Sequence, residues 1–77
     1  MKDFLLFLIN QLVDQPDAVQ IDEESLETET IYKLKLAKED MGKVIGKEGK
    51  IIHALRTLLK VRAIKEGKMA RLEILEG

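Results

Sequence analysis

Residues 50–65, "KIIHALRTLLKVRAIK", carry the strongest helical pattern in the chain. They begin directly behind Gly46-Lys47-Glu48-Gly49 and are stopped by Gly67. A stretch alternating apolar and polar residues stands on each side of this helical region. "TIYKLKLA" (30–37) puts Tyr32, Leu34 and Leu36 inward and Lys33 and Lys35 outward, and "MARLEIL" (69–75) alternates in the same way. Two strands joined through helices can lie parallel with a right-handed crossover, and that requirement narrows the fold more than any other feature.

The remaining elements fit around it. Residues 3–14, "DFLLFLINQLVD", read as a helix with Phe4, Leu5, Leu8, Ile9 and Leu12 on one broad face. Pro16 closes it, because the residue before a proline avoids the helical region. "AVQI" (18–21) reads as a short strand, and "DEESLETE" (22–29), with five acids in eight residues, as a solvated turn completing a hairpin with 30–37. Glu39–Ile45 reads as a short helix whose two leading acids suit its positive end. The predicted order is helix, strand, strand, helix, helix, strand: a single α+β domain over 1–77, with helices on one face of a three-stranded mixed sheet.

At 77 residues such a domain has a small core and gains from a partner. The absence of cysteine removes disulfides and thiolate metal sites and suits a reducing cytoplasm. With His53 as the lone histidine, no two-histidine metal site forms from one chain, and no cofactor is expected. The longest apolar run, Phe4–Ile9, is far shorter than the roughly 20 residues of a membrane span. It is also a poor signal peptide, so a cytoplasmic location is expected.

The net charge of −1 conceals a division. Residues 1–32 hold one basic and eight acidic side chains, whereas residues 33–77 hold twelve basic and six acidic ones. An approaching polyanion responds to local potential, and the glycine loop lies in the basic part.

That loop fits neither nucleotide fingerprint. A Walker loop needs four residues between its glycine and Gly-Lys-Ser/Thr; here three separate Gly42 from Gly46, and Lys47 precedes a glutamate. A dinucleotide fingerprint fails because Val44 occupies the place of its first glycine. Catalysis has no support either: Glu39, Asp40 and Glu48 lack a partner base or metal set, and the acids at 39–40 are better read as helix-start residues. What fits is a helix–loop–helix in which Gly-x-x-Gly lets a single-stranded backbone of about four nucleotides approach. The second helix would offer free N–H groups and a positive dipole end. Lys43, Lys47 and Lys50 add charge, and Ile45, Ile51 and Ile52 line a groove. No aromatic residue is interleaved with these cations, so backbone contacts and weak sequence preference are expected rather than base stacking.

"VIGKEGKII" (44–52) resembles the Val-Ile-Gly-x-x-Gly-x-x-Ile core of KH domains, and the element order resembles their type II form. "LVDQPDAVQI" (12–21) together with "GKVIGKEGK" and "ALRTLL" is similar to the stand-alone bacterial KhpA family over nearly the whole chain. The resemblance implies a chaperone-like protein that binds single-stranded RNA. It also implies joint action with a Jag/KhpB-type KH protein in post-transcriptional control of cell shape and the cell wall. The expected RNA-binding residues are Lys43, Ile45, Gly46, Lys47, Glu48, Gly49, Lys50 and Ile52, of which Glu48 is unfavourable for a polyanion. The rival reading is a KH shape kept only as a protein-docking unit.

The long helix carries a second expectation. Stepping about 100° per residue puts Ile51, Ile52, Leu55, Leu58, Leu59 and Ala63 on one core-facing arc. Ala54, Val61 and Ile64 fall outside it, beside Leu58. Either the first helix covers this flank, or Ala54, Leu58, Val61 and Ile64 form a homodimer or heterodimer face. His53 falls on the polar side, and the lysines at 33, 35 and 38 read as a solvated strand face.

Overall fold

The computed structural model describes residues 2–75. Its elements are α1 (Lys2–Asn10), β1 (Gln20–Ser25), β2 (Thr30–Lys35), α2 (Met41–Ile45), α3 (Lys50–Lys65) and β3 (Ala70–Ile74), with single 3₁₀ turns at Pro16–Ala18, Lys38–Asp40 and Lys47–Gly49. The sheet order is β1-β2-β3. β1 runs antiparallel to β2 with Ile21 opposite Leu34, and β2 runs parallel to β3 with Tyr32 beside Leu72. The α+β class and the mixed three-stranded sheet match the sequence reading.

The core lies where helix and sheet periodicities converge. Leu5 and Ile9 of α1, Val44 of α2, and Leu55 and Leu59 of α3 pack with Ile21, Tyr32, Leu34 and Leu72 of the sheet. Burial, then the neighbouring Glu23 carboxylate, push the Tyr32 phenol up to about 12, so it enters the core uncharged. The other sheet face is charged: Lys33 pairs with Glu24 at 2.9 Å, and Arg71 lies 3.8 Å from Glu73. Ile31 is buried on that face, opposite Glu24 and beside Arg71. Among the described residues no helix is long and apolar enough to cross a membrane.

Three expectations are corrected. The first helix ends at Asn10, not at residue 14. Its last turn tightens, with the Leu12 N–H donating to the Ile9 carbonyl at 2.9 Å, because the next residues must turn toward Asp40. The acidic stretch is not all turn: Asp22, Glu23 and Glu24 belong to β1, and only residues 26–29 reverse the chain, closed by Leu26 N–H to the Glu29 carbonyl at 2.7 Å. An edge strand with only Ile21 buried tolerates carboxylates, Lys33 of β2 compensates them, and charge there discourages further strand pairing. Finally, Leu58 is not in the core; it stands 47% exposed. The buried arc of α3 is Ile52, Leu55, Leu59 and Ala63, and Leu58 lies too far round to reach the sheet.

Candidate functional site

α2 and α3 are joined by Gly46-Lys47-Glu48-Gly49, and each glycine is there for a different reason. Gly46 adopts φ 77°, ψ 174°. A Cβ at this position would stand 2.6 Å from Cγ1 and 2.8 Å from Cβ of Ile51, so the absence of a side chain lets the loop close onto the first turn of α3. Gly49 is left-handed (φ 73°, ψ 16°), but a Cβ there would meet only Ile52 Cγ2 at 3.8 Å, so its constraint is conformational rather than steric. Glu48 is also left-handed (φ 58°, ψ 25°), the one non-glycine so placed among the described residues. The turn is closed by Gly46 N–H to the Gly42 carbonyl at 2.8 Å and Gly49 N–H to the Gly46 carbonyl at 3.2 Å.

No side chain caps the start of α3. Its first N–H, that of Lys50, donates to the Lys47 carbonyl instead, and sixteen aligned peptide units place a positive dipole end at the loop. Lys47 and Lys50 are exposed on either side of Glu48 and Gly49, and neither forms an ion pair among the described residues. Ile45 is 36% exposed beside the loop, Ile51 is half-buried beneath Gly46, and Ile52 is buried. Of the three isoleucines expected to line a groove, Ile45 thus presents the most surface, while Ile52 supports the loop from the core. The arrangement is chemically suited to an anion that needs N–H donors, nearby ammonium groups and close backbone approach.

Lys43 is differently engaged. Its ammonium contacts the Asp14 carboxylate and lies 3.7 Å from Asp40 Oδ1. The contact with Asp14, offset in part by desolvation and reinforced by Asp40, holds this lysine above its ordinary range. The residue that sequence reasoning misjudges is Asp40. It caps nothing with its side chain; it is 1% exposed, and its carboxylate accepts the backbone N–H of Asp14 at 3.1 Å and of Gln15 at 2.9 Å. Burial pushes this carboxyl up, but those two N–H groups and Lys43 outweigh it and hold it below the usual aspartate range. Asp40 thereby ties the turn after α1 to the start of α2. Gln15 Nε2 adds a hydrogen bond to Glu39 Oε2 at 3.2 Å. The only signal in the sequence is an acid one place before a short helix, and that pattern equally describes a helix-start residue.

On the far side of α3, Ala54, Leu58, Val61 and Ile64 are all exposed, Val61 by 51% and Ile64 by 64%. α1 does not cover them. Its Phe4 ring sits under the Arg62 guanidinium, 5.2 Å from the ring centroid, off to one side of this stripe. His53 is exposed, as its place on the polar side implies.

Comparison with known proteins gives the family. A family model described as KhpA/KhpB, KH domain, matches residues 2–74. The chain is 49% identical over 75 residues to the RNA-binding protein KhpA of Clostridium acetobutylicum, covering 97% of this chain and 100% of the relative. It is 46% identical over 76 residues to the RNA-binding protein KhpA of Listeria monocytogenes, covering 99% and 100%. It is also 49% identical over 76 residues to that of Chlamydia caviae, covering 99% and 97%. No solved structure gives a significant match. The KH domain of this family is not enzymatic. With the helix–glycine loop–helix set against a mixed three-stranded sheet, and with matches over nearly its full length, the chain belongs to the KhpA/KhpB KH-domain family.

Proposed function

We propose that the protein binds single-stranded RNA at the Gly46–Gly49 loop. The observation that carries this reading is the uncapped start of α3 directly behind two positive-φ glycines, flanked by the exposed Lys47 and Lys50. Phosphate oxygens accept from these two ammonium groups at the positive end of α3, Gly46 and Gly49 leave the path open, and Ile45 packs against a sugar or base edge. Ile52 fixes the loop from below, and Glu48 limits affinity through like-charge repulsion. No ring stands ready for stacking, so recognition rests on backbone and is tolerant of sequence. The relatives' name, RNA-binding protein, supports the same reading.

The stripe Ala54, Leu58, Val61 and Ile64 is the pairing face, used by a second copy or by a Jag/KhpB-type KH partner. The exposure of this apolar stripe, which α1 leaves uncovered, supports that choice. Acting in the cytoplasm, the pair would serve as an RNA chaperone in post-transcriptional control of cell shape and cell-wall homeostasis. The alternative, a docking unit without RNA binding, draws on Glu48 and on the exposed α3 stripe.

Fluorescence anisotropy with labelled single-stranded RNA separates the two. The wild type should bind at low salt. Lys47→Ala and Lys50→Ala should each weaken binding similarly across unrelated sequences and lower the salt slope by about 0.7 for each phosphate left without its lysine. Binding that is indifferent to both lysines would refute the loop assignment, and no binding at all would leave the docking unit.

A further inference from the structure

Lys43 lies on α2, three residues before Gly46, where α2 leads into the loop. By position it should be a third cation for an incoming phosphate chain. Its surroundings cancel it. One ammonium stands with two carboxylates, Asp14 in direct contact and Asp40 at 3.7 Å, so the cluster beside the loop carries a net negative charge. The two acids are not equivalent. Asp40 is enclosed and occupied by the Asp14 and Gln15 backbone N–H groups, which commits it to holding the turn after α1. The Asp14 side chain is 75% exposed and, among the described residues, pairs with the Lys43 ammonium alone, so its charge serves no buried group.

We propose that Asp14 is an affinity-setting residue for RNA, whose carboxylate holds Lys43 back from the phosphate chain at the Gly46–Gly49 loop. This rests on the loop being the RNA site and adds a graded control to it. Lys47 and Lys50 supply the working charge, and Lys43 is a reserve cation held by an exposed ion pair. Such pairs are weak enough for a single substitution to release them. Replacing Asp14 with asparagine keeps an oxygen acceptor for the ammonium and the same shape, and removes one negative charge from the path.

The test compares wild type, Asp14→Asn, Lys43→Ala and the double variant, each binding a labelled single-stranded oligoribonucleotide over a salt series, with circular dichroism to confirm folding. Asp14→Asn is expected to bind about two- to fivefold more tightly at low salt, the equivalent of one exposed ion pair. Its salt slope should steepen by about 0.7, the increment for one further phosphate on a single strand. Lys43→Ala alone should cost less than Lys47→Ala, and in the double variant the gain of Asp14→Asn should vanish, the signature of coupled residues. Asp14→Asn binding no more tightly than wild type, while wild type binds, overturns this proposal and leaves the loop assignment standing. If Asp14→Asn does not fold, Lys43→Ala decides: a loss as large as that of Lys47→Ala means Lys43 already touches RNA and overturns it, whereas a smaller loss supports it. Failure of the wild type to bind RNA overturns both readings.

Discussion

The loop shows that two glycines in one motif do different work, and single substitutions should separate them. At Gly46 any Cβ collides with Ile51, so Gly46→Ala must push the loop off α3. At Gly49 only left-handed strain is incurred, about 1–2 kcal/mol. Urea unfolding should therefore rank Gly46→Ala well below Gly49→Ala in stability, and equal midpoints would contradict the packing role of Gly46. Carboxylates at both glycines would disturb the fold as well as the RNA path, which makes that double substitution a poor test of binding. Glu48 offers the reverse experiment. It bears left-handed strain and a negative charge, so Glu48→Gly should raise stability by about 0.5–1 kcal/mol, net of the extra freedom gained by the unfolded chain, and should tighten RNA binding. A fall in either quantity would show that Glu48 makes a contact of its own. Asp40 supplies a pH signature. Its carboxyl is lower in the folded protein than in the unfolded chain, so its stabilisation is complete above the ordinary aspartate value of 3.8 and fades as pH falls through the lower folded value. Asp40→Asn cannot accept both N–H groups in the same way; its urea midpoint should fall at neutral pH, and its acid limb should flatten relative to wild type. An unchanged acid limb would contradict the pin.

At the scale of elements, α3 has two apolar faces, and only one of them is satisfied within the chain. Ile52, Leu55, Leu59 and Ala63 meet the core, while Ala54, Leu58, Val61 and Ile64 face outward. If the outer stripe pairs, Val61→Asp places an unpaired carboxylate in a desolvated contact at a cost of several kcal/mol, enough to split a modest dimer. Because Val61 is 51% exposed in the single chain, the substitution should leave the fold intact. Light scattering is expected to show a dimer for wild type and a folded monomer for Val61→Asp; a wild type monomeric at high concentration would remove the homodimer, and a mutant that unfolds would place Val61 in the core. Element type is legible in the sequence wherever periodicity is sustained: β2, α3 and β3 alternate or repeat over enough residues to declare themselves, and the glycine loop declares its own position. The departures have tertiary causes. Periodicity alone extends α1 four residues too far because its end is set by Asp40, twenty-five residues from Gln15 in sequence. It shortens β1 because Asp22 and Glu24 look like turn residues until Lys33 is placed beside them across the sheet. It puts Leu58 in the core because a helical projection gives angles but not where the sheet ends.

For the whole molecule the division of charge follows the elements unevenly. α1 is neutral, with Lys2 against Asp3; the acids of the first half gather on β1 and the turns on either side of it, while α2 through β3 hold an excess of cations, so the local potential differs from the net charge of −1. This polarity should hold RNA at the loop and away from Gln20–Ser25, and it should make binding fall as salt rises. The charged open face of the sheet, where Lys33 is already paired with Glu24, adds little attraction of its own. The most direct measurement is a titration of the isotope-labelled protein with single-stranded RNA, followed by backbone amide chemical shifts. If RNA lies on the glycine loop, the changes concentrate from Ile45 to Ile51 and reverse with salt, and the amides of β1 stay unmoved. Changes centred on β1 or on the outer stripe of α3, with the amides of Gly46 to Lys50 silent, would contradict that placement.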